Sequence, residues 1–279
     1  MRGAGAMQDS ERIFAANRAR GRIALGVVAE DSRTRRQRVE EEGSLRIRFP
    51  NTAAAECDAV IVNTAGGVAG GDRFALEVDV GEGADLTVTG AAAEKVYRAI
   101  GQDAEIEVKL AVASGGALRW LPQETILFDR AGLVRSIEID VAEGGSLLLS
   151  EAVVFGRTAM GERLQQGRLI DRWRVRCAGK LAFAETLRLE GDIGATLAKP
   201  AAGNGAVAIA TVLLVPGSDA NIAMARALSE QFAGEVGISG WNGIMLARLC
   251  ARNAAVLRRD LMALLSALDP RGLPRLWLN

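Results

Sequence analysis

Histidine is missing from all 279 residues, and that absence removes more chemistry than any other feature of the composition. A Ser-His-Asp triad, a Cys-His pair, a His-bearing zinc site and an H-E-x-x-H metalloprotease all need an imidazole that titrates near neutral pH or ligates a metal. Cysteine is scarce, at Cys57, Cys177 and Cys250 only. Their odd count and wide spacing argue against a disulfide framework, show no paired metal-site spacing and fit a reducing cytoplasm. No run approaches about eighteen uninterrupted apolar residues and none resembles a secretory h-region, so a cytoplasmic protein without membrane contact is expected. Neither sign of charge is in excess, with Lys+Arg 34 and Asp+Glu 34. A nucleic-acid coat would carry a basic surplus. Near-zero net charge instead favours a surface that associates, with a partner or with another copy of the chain.

What is present reads mainly as β-structure. Residues 1–20, rich in Ala, Gly, Arg and Asn, read as a loosely ordered lead-in, and residues 21–279 as one domain whose portion from about 217 onward is mainly helical. Between Arg12 and Arg48, ten arginines stand against five acidic residues, which fits a salt-laced solvated face better than an acidic partner. From Gly21 to about Leu213 short strands are expected, among them 104–112, 117–121, 133–141, 146–154, 171–176 and 181–189. Glu105 to Leu110 and Ile137 to Val141 alternate with the period of two that marks a half-buried strand. Beyond Pro216-Gly217, Asp219 caps an expected helix running to about Phe232, and Gly237 to Gly243 breaks it. Asn253 opens an amphipathic helix with Leu257, Leu261, Leu264, Leu265 and Leu268 on one face, and Leu276 to Leu278 reads as a last extended segment.

One unit recurs. Val80 to Leu86, Val112 to Leu118 and Val141 to Leu147 each join a strand end to a glycine turn and a new apolar strand, with Gly83, Gly115 and Gly144 spaced 32 and 29 residues apart. A weaker copy at Val175 to Leu181 has its glycine displaced to Gly179. Turns at that interval predict a helically wound stack of strands, each layer burying its face against the next.

The stretch NTAGGVAGGDRF, Asn63 to Phe74, holds Gly66, Gly67, Gly70 and Gly71 directly behind an apolar run. A phosphate-binding loop would feed a helix and carry Lys followed by Ser or Thr. Here Asp72 to Val80 alternates like a strand and the Lys-Ser/Thr pair is absent. The glycines therefore read as sharply bent strand connections and close packing.

That segment resembles the signature of the UreD/UreH family of urease accessory proteins. The resemblance continues through Thr89 to Arg98, Trp120 to Asp129, Glu151 to Glu162, Phe183 to Leu189 and Trp241 to Gly243 with Ala247-Arg248, and spans roughly residues 20 to 279. It implies a mainly β, helically wound fold with a small C-terminal helical flank and a non-catalytic scaffold that acts in nickel insertion. It further implies binding to the urease apoprotein and to a helical accessory protein of the UreF type. A GTPase of the UreG type would join through the complex, and Ni2+ would pass through transiently with no tightly bound cofactor and no catalytic residue.

Within those segments, Asp72, Glu151 and Glu185 lie beside apolar strand residues and are the candidates for a transient nickel route. Each also reads as a solvated strand residue or an arginine-paired carboxylate. Hydrated carboxylates attract a divalent cation without caging it. Glu124, in a Pro122-Gln123-Glu124-Thr125 stretch, reads as a turn-holding or site carboxylate. Lys95, Tyr97 and Arg98 fit two roles equally: Tyr97 covering core with its hydroxyl partnered, or an anchor for a complex interface. A carboxylate enzyme using Asp72 with Glu124 or Glu151 would need a nucleophile or cofactor motif that the chain does not supply.

Overall fold

Alternation decides the architecture, because strands with one apolar face have to be stacked in pairs to bury it. A computed structural model describes residues 18–50, 55–157 and 160–278, so most of the lead-in expected over 1–20 lies outside the described residues. In chain order the elements are β1 (Arg20–Glu30), β2 (Arg33–Gly43), β3 (Leu45–Arg48), β4 (Cys57–Asn63), β5 (Arg73–Val80), β6 (Asp85–Gly90), β7 (Glu94–Val96), β8 (Ala104–Val112) and β9 (Ala117–Leu121). They continue with β10 (Thr125–Leu127), β11 (Gly132–Val141), β12 (Ser146–Phe155), β13 (Gln166–Cys177), β14 (Lys180–Asp192), α1 (Ile193–Ala198) and β15 (Ala208–Val215). The last are α2 (Asp219–Ser229), β16 (Glu235–Trp241), β17 (Ile244–Ala251), α3 (Ala254–Leu268) and a 3-10 turn, Arg275–Trp277.

Two sheets face each other in a solenoid-like stack. The first runs β14-β13-β11-β8-β5-β1-β2, and the second runs β16-β17-β15-β12-β9-β6-β4-β3, with β10 paired to β12 and β7 paired to β10. The chain crosses from the first sheet to the second at each recurring glycine turn. Gly83, Gly115 and Gly144 have φ of 66°, 67° and 77°, a region that costs other residues about 1–2 kcal/mol. The turns sit one above another, with Gly115 N–H donating to the Gly144 carbonyl at 3.1 Å. The displaced glycine of the weaker copy marks a different event. Ala178 and Gly179, at φ 47° and 75°, make a tight hairpin that returns β14 to the sheet of β13, so the winding ends there.

Between the sheets, Leu133, Ile137 and Ile139 of β11 share the buried interior with Leu147, Leu149 and Val153 of β12. Full burial of such side chains contributes roughly 1.5–3 kcal/mol each. Alternate residues of β12, Leu148, Ala152 and Val154, face outward and are covered by α2, α3 and Trp277. The apolar face read for α3 is thus used inside the molecule: Leu257, Leu261, Leu264 and Leu265 are buried against the second sheet, and Asn253 caps the helix.

Several elements differ from expectation for local reasons. β2 reads as charged sequence, yet it pairs along β1, and the salt-laced face is real: Arg22 and Arg38 reach Glu40 and Glu77. Hydrogen bonds from Arg38 and Arg22 hold the exposed Glu40 carboxyl at about 2. The three-residue strands β7 and β10 and the six-residue α1 are too short to show a period. Gly237 to Gly243 is mostly β16, which turns into β17 at Asn242-Gly243, so the portion from about 217 combines two helices with a hairpin that extends the second sheet. Ser218, not Asp219, caps α2, and the expected extended segment 276–278 is largely the 3-10 turn. No described helix is long and apolar enough to cross a membrane.

Candidate functional site

Three inward-facing positions break the apolar pattern at one end of the stack. On β11 the face runs Leu133, Arg135, Ile137; on β12 it runs Leu149, Glu151, Val153; on β13 it runs Leu169, Asp171, Trp173. Register places Arg135 beside Asp171 in the first sheet, and Glu151 beside Thr211, then Arg248, in the second. With Glu185 of β14 and Glu235 of β16 they line a cavity of about 400 Å³ between the sheets.

Arg135 is the centre of this group. Its Nε and Nη2 donate to the two Asp171 oxygens at 3.0 and 2.5 Å, and its Nη1 donates to Glu151 Oε2. Glu151 Oε1 accepts from the Trp120 indole N–H at 2.9 Å. The three charged side chains are only 5–7% exposed. Removing either member of such a buried pair leaves an uncompensated charge and costs about 3–5 kcal/mol. One guanidinium serves two carboxylates. Asp171 holds it through both oxygens, so Glu151 is the carboxylate left under-compensated. Its pKa is pushed up, by burial first and with Asp171 adding like charge, while Arg135 is held charged by the two carboxylates. Nearer the solvent, Arg248 Nη2 meets Glu185 Oε2 at 2.8 Å, joining β14 at the edge of the first sheet to β17, the strand next to the edge of the second.

Of the three carboxylates singled out for a nickel route, Glu151 and Glu185 meet in this cavity. Asp72 is buried elsewhere: its Oδ1 accepts from Ala19 N–H at 2.8 Å and its Oδ2 from Ala69 N–H at 2.7 Å, which ties the glycine segment to the start of β1. Among the described residues, no three His, Cys, Asp or Glu side chains come together as a metal cage.

The remaining candidates are distributed as follows. Gly66, Gly67 and Gly71 have φ of 76°, 151° and 86°. Gly67 also lies under the Tyr97 ring, where a Cβ would stand 2.4 Å from Cε2, and a Cβ on Gly70 would stand 2.5 and 2.8 Å from Gln102 O and Ala99 Cα. Tyr97 donates its hydroxyl to Gly66 O at 2.9 Å and packs edge-on to Phe128, with ring centroids 5.1 Å apart. Lys95 and Arg98 flank it, both exposed. Glu124 accepts from Arg258 of α3 at 2.5 Å, and Arg258 lies over the Trp277 ring, so Glu124 fastens the helix to the β9–β10 connection.

Arg135, Asp171, Trp120 and Arg248 were not singled out as site residues from sequence. A signal existed for the first two, each being a lone charge on an otherwise apolar period-two face. Their partnership was not visible, because it depends on which strands become neighbours.

The family model described as UreD urease accessory protein matches residues 19–278. A Rhodopseudomonas palustris (strain BisB18) protein named urease accessory protein UreD is 58% identical over 267 residues, covering 96% of each chain. One of the same name from Bradyrhizobium diazoefficiens is also 58% identical with the same coverage, and another from Rhodopseudomonas palustris is 56% identical over 270 residues, 97% of each chain. The helically wound β fold and this full-length similarity agree, and the chain belongs to the UreD family of urease accessory proteins, with a role in urease maturation.

Proposed function

We propose that the chain is a non-catalytic scaffold that binds the urease apoprotein and a helical accessory protein of the UreF type. A GTPase of the UreG type joins through that complex, and a nickel ion passes along Glu185 and Glu151 on its way to the urease active site. The observation that carries this reading is the cavity between the sheets, where carboxylates from both sheets converge among arginines in an apolar wall. Carboxylate oxygens in such a setting attract a hydrated divalent cation, and the absence of a complete cage among the described residues lets it leave. Asp72 has a different part in this scheme, holding the glycine segment in shape.

Co-expression with the helical partner and the urease apoprotein, followed by size-exclusion chromatography, tests the scaffold. A single stoichiometric peak is expected, and separate elution of the folded proteins contradicts it. A second reading, assembly without metal conduction, is favoured by one observation: Glu151 and Glu185 are each paired with an arginine. Charge-neutral replacement of both carboxylates separates the two once folding and assembly of the variant are verified, since conduction requires their charge even in an assembled complex.

A further inference from the structure

Arg135 has a consequence for what the cavity can hold, beyond fixing two strands. Its guanidinium faces Glu151 and Asp171 at once, so the trio carries one surplus negative charge when all three are ionised. A divalent cation added to that trio overshoots neutrality and leaves a buried positive charge. The same ion between the two carboxylates without the guanidinium would be charge-balanced. Desolvated charge is tolerated only when compensated, so that single unit decides between passage and capture. Elsewhere in the cavity Glu185 and Arg248 cancel, and Glu235 accepts from Asn204 at 2.8 Å. With its carboxylates ionised the cavity is therefore formally negative and draws cations in.

We propose that Arg135 is a resident counter-cation that keeps the inter-sheet cavity a place of transit: it occupies the Glu151–Asp171 carboxylates and denies a divalent cation a neutral site there. This rests on the nickel-route reading and adds the element that prevents storage. An arriving ion exchanges with the guanidinium at Glu151, the less tightly held of the two carboxylates, and is released when the guanidinium returns. No bond is formed or broken beyond metal–oxygen and hydrogen-bond exchange.

The test uses the untagged chain, whose lack of histidine keeps background metal binding low. Wild type, Arg135→Gln, Arg135→Lys and the double variant Arg135→Gln/Glu151→Gln are dialysed against nickel(II) chloride, and thermal midpoints are recorded with and without the metal. Arg135→Gln should bind nickel about tenfold or more tighter than wild type. It should retain close to one ion per chain and gain thermal stability on adding nickel. Arg135→Lys, which keeps the charge, and the double variant should behave as wild type. Retention by Arg135→Gln no greater than wild type overturns the proposal, as does equal retention by the double variant or by Arg135→Lys. Should Arg135→Gln fold only when nickel is present, the metal has replaced the guanidinium and the proposal stands. Failure to fold in both conditions overturns it. The binding readout needs no urease, so it is separable from failure of the nickel route, which would appear as unchanged urease activation in Glu151 and Glu185 variants.

Discussion

Trp120 donates its indole N–H to Glu151 across 31 positions of sequence, at 2.9 Å and out of contact with solvent. The bond links β9 to β12 just beyond the last paired residues, Trp120 and Leu149, and among the described residues it is the only hydrogen bond to that carboxylate from a neutral group. Trp120→Phe keeps an aromatic ring and removes the donor. Loss of a hydrogen bond to a buried charge should lower stability by about 1.5–3 kcal/mol, measured by urea unfolding. A change within experimental scatter would mean that the carboxylate does not depend on this donor.

The raised pKa of Glu151 gives a pH dependence of definite sign. A carboxyl whose pKa is higher folded than unfolded binds more protons in the native state, so its contribution declines as pH rises from the ordinary carboxylate range through its folded value. Glu151→Gln lacks that titration. The stability difference between variant and wild type should therefore shift in the variant's favour as pH rises through that window, read from paired urea melts. A shift in the opposite direction would mean that the Arg135 attraction outweighs burial.

The glycine segment separates two causes of destabilisation. Gly66 has φ 76° but open space where a Cβ would stand, so Gly66→Ala should cost about 1–2 kcal/mol, from backbone strain alone. At Gly70 a Cβ would meet backbone atoms at 2.5 and 2.8 Å. Gly70→Ala should cost as much or more, in the range of about 1–3 kcal/mol or above, because backbone must move. Urea midpoints that rank Gly66→Ala clearly below Gly70→Ala in stability would contradict this.

The winding is legible in the sequence, but its closure is not. Strands 104–112 and 117–121 were read with their observed limits, since alternation and the following glycine turn both mark them. The glycine displaced to Gly179 carried the hairpin, which requires positive φ at two successive residues and so looks like a degraded copy of the repeat. β2 was hidden because its stability lies in cross-strand ion pairs and in β1, not in an apolar face of its own. Glu151 and Glu185 were legible as charges inside apolar strands. That Asp72 belongs elsewhere was not, because its partners are backbone N–H groups whose positions follow only from the folded loop.

The amphipathic helix α3 illustrates the same limit. Its leucine face suits a partner or the chain's own sheet equally well by pattern, and the structure uses it internally. Leu261→Ala should lower stability by about 2–5 kcal/mol, and assembly should suffer only in proportion to unfolding. A folded Leu261→Ala chain of wild-type stability that no longer joins its accessory partner would assign the face to the complex instead.

Nickel passage through the inter-sheet cavity is tested most directly by Glu151→Gln/Glu185→Gln, with Asp72→Asn as a comparison from outside the cavity. Each chain is assembled with urease apoprotein and the accessory proteins, assembly is verified by size-exclusion chromatography, and urease activation is followed under limiting nickel. The double variant should assemble and activate urease more slowly than wild type and than either single replacement, while any defect in Asp72→Asn should track loss of stability. A double variant that assembles normally and activates urease at the wild-type rate would show that nickel does not depend on these carboxylates.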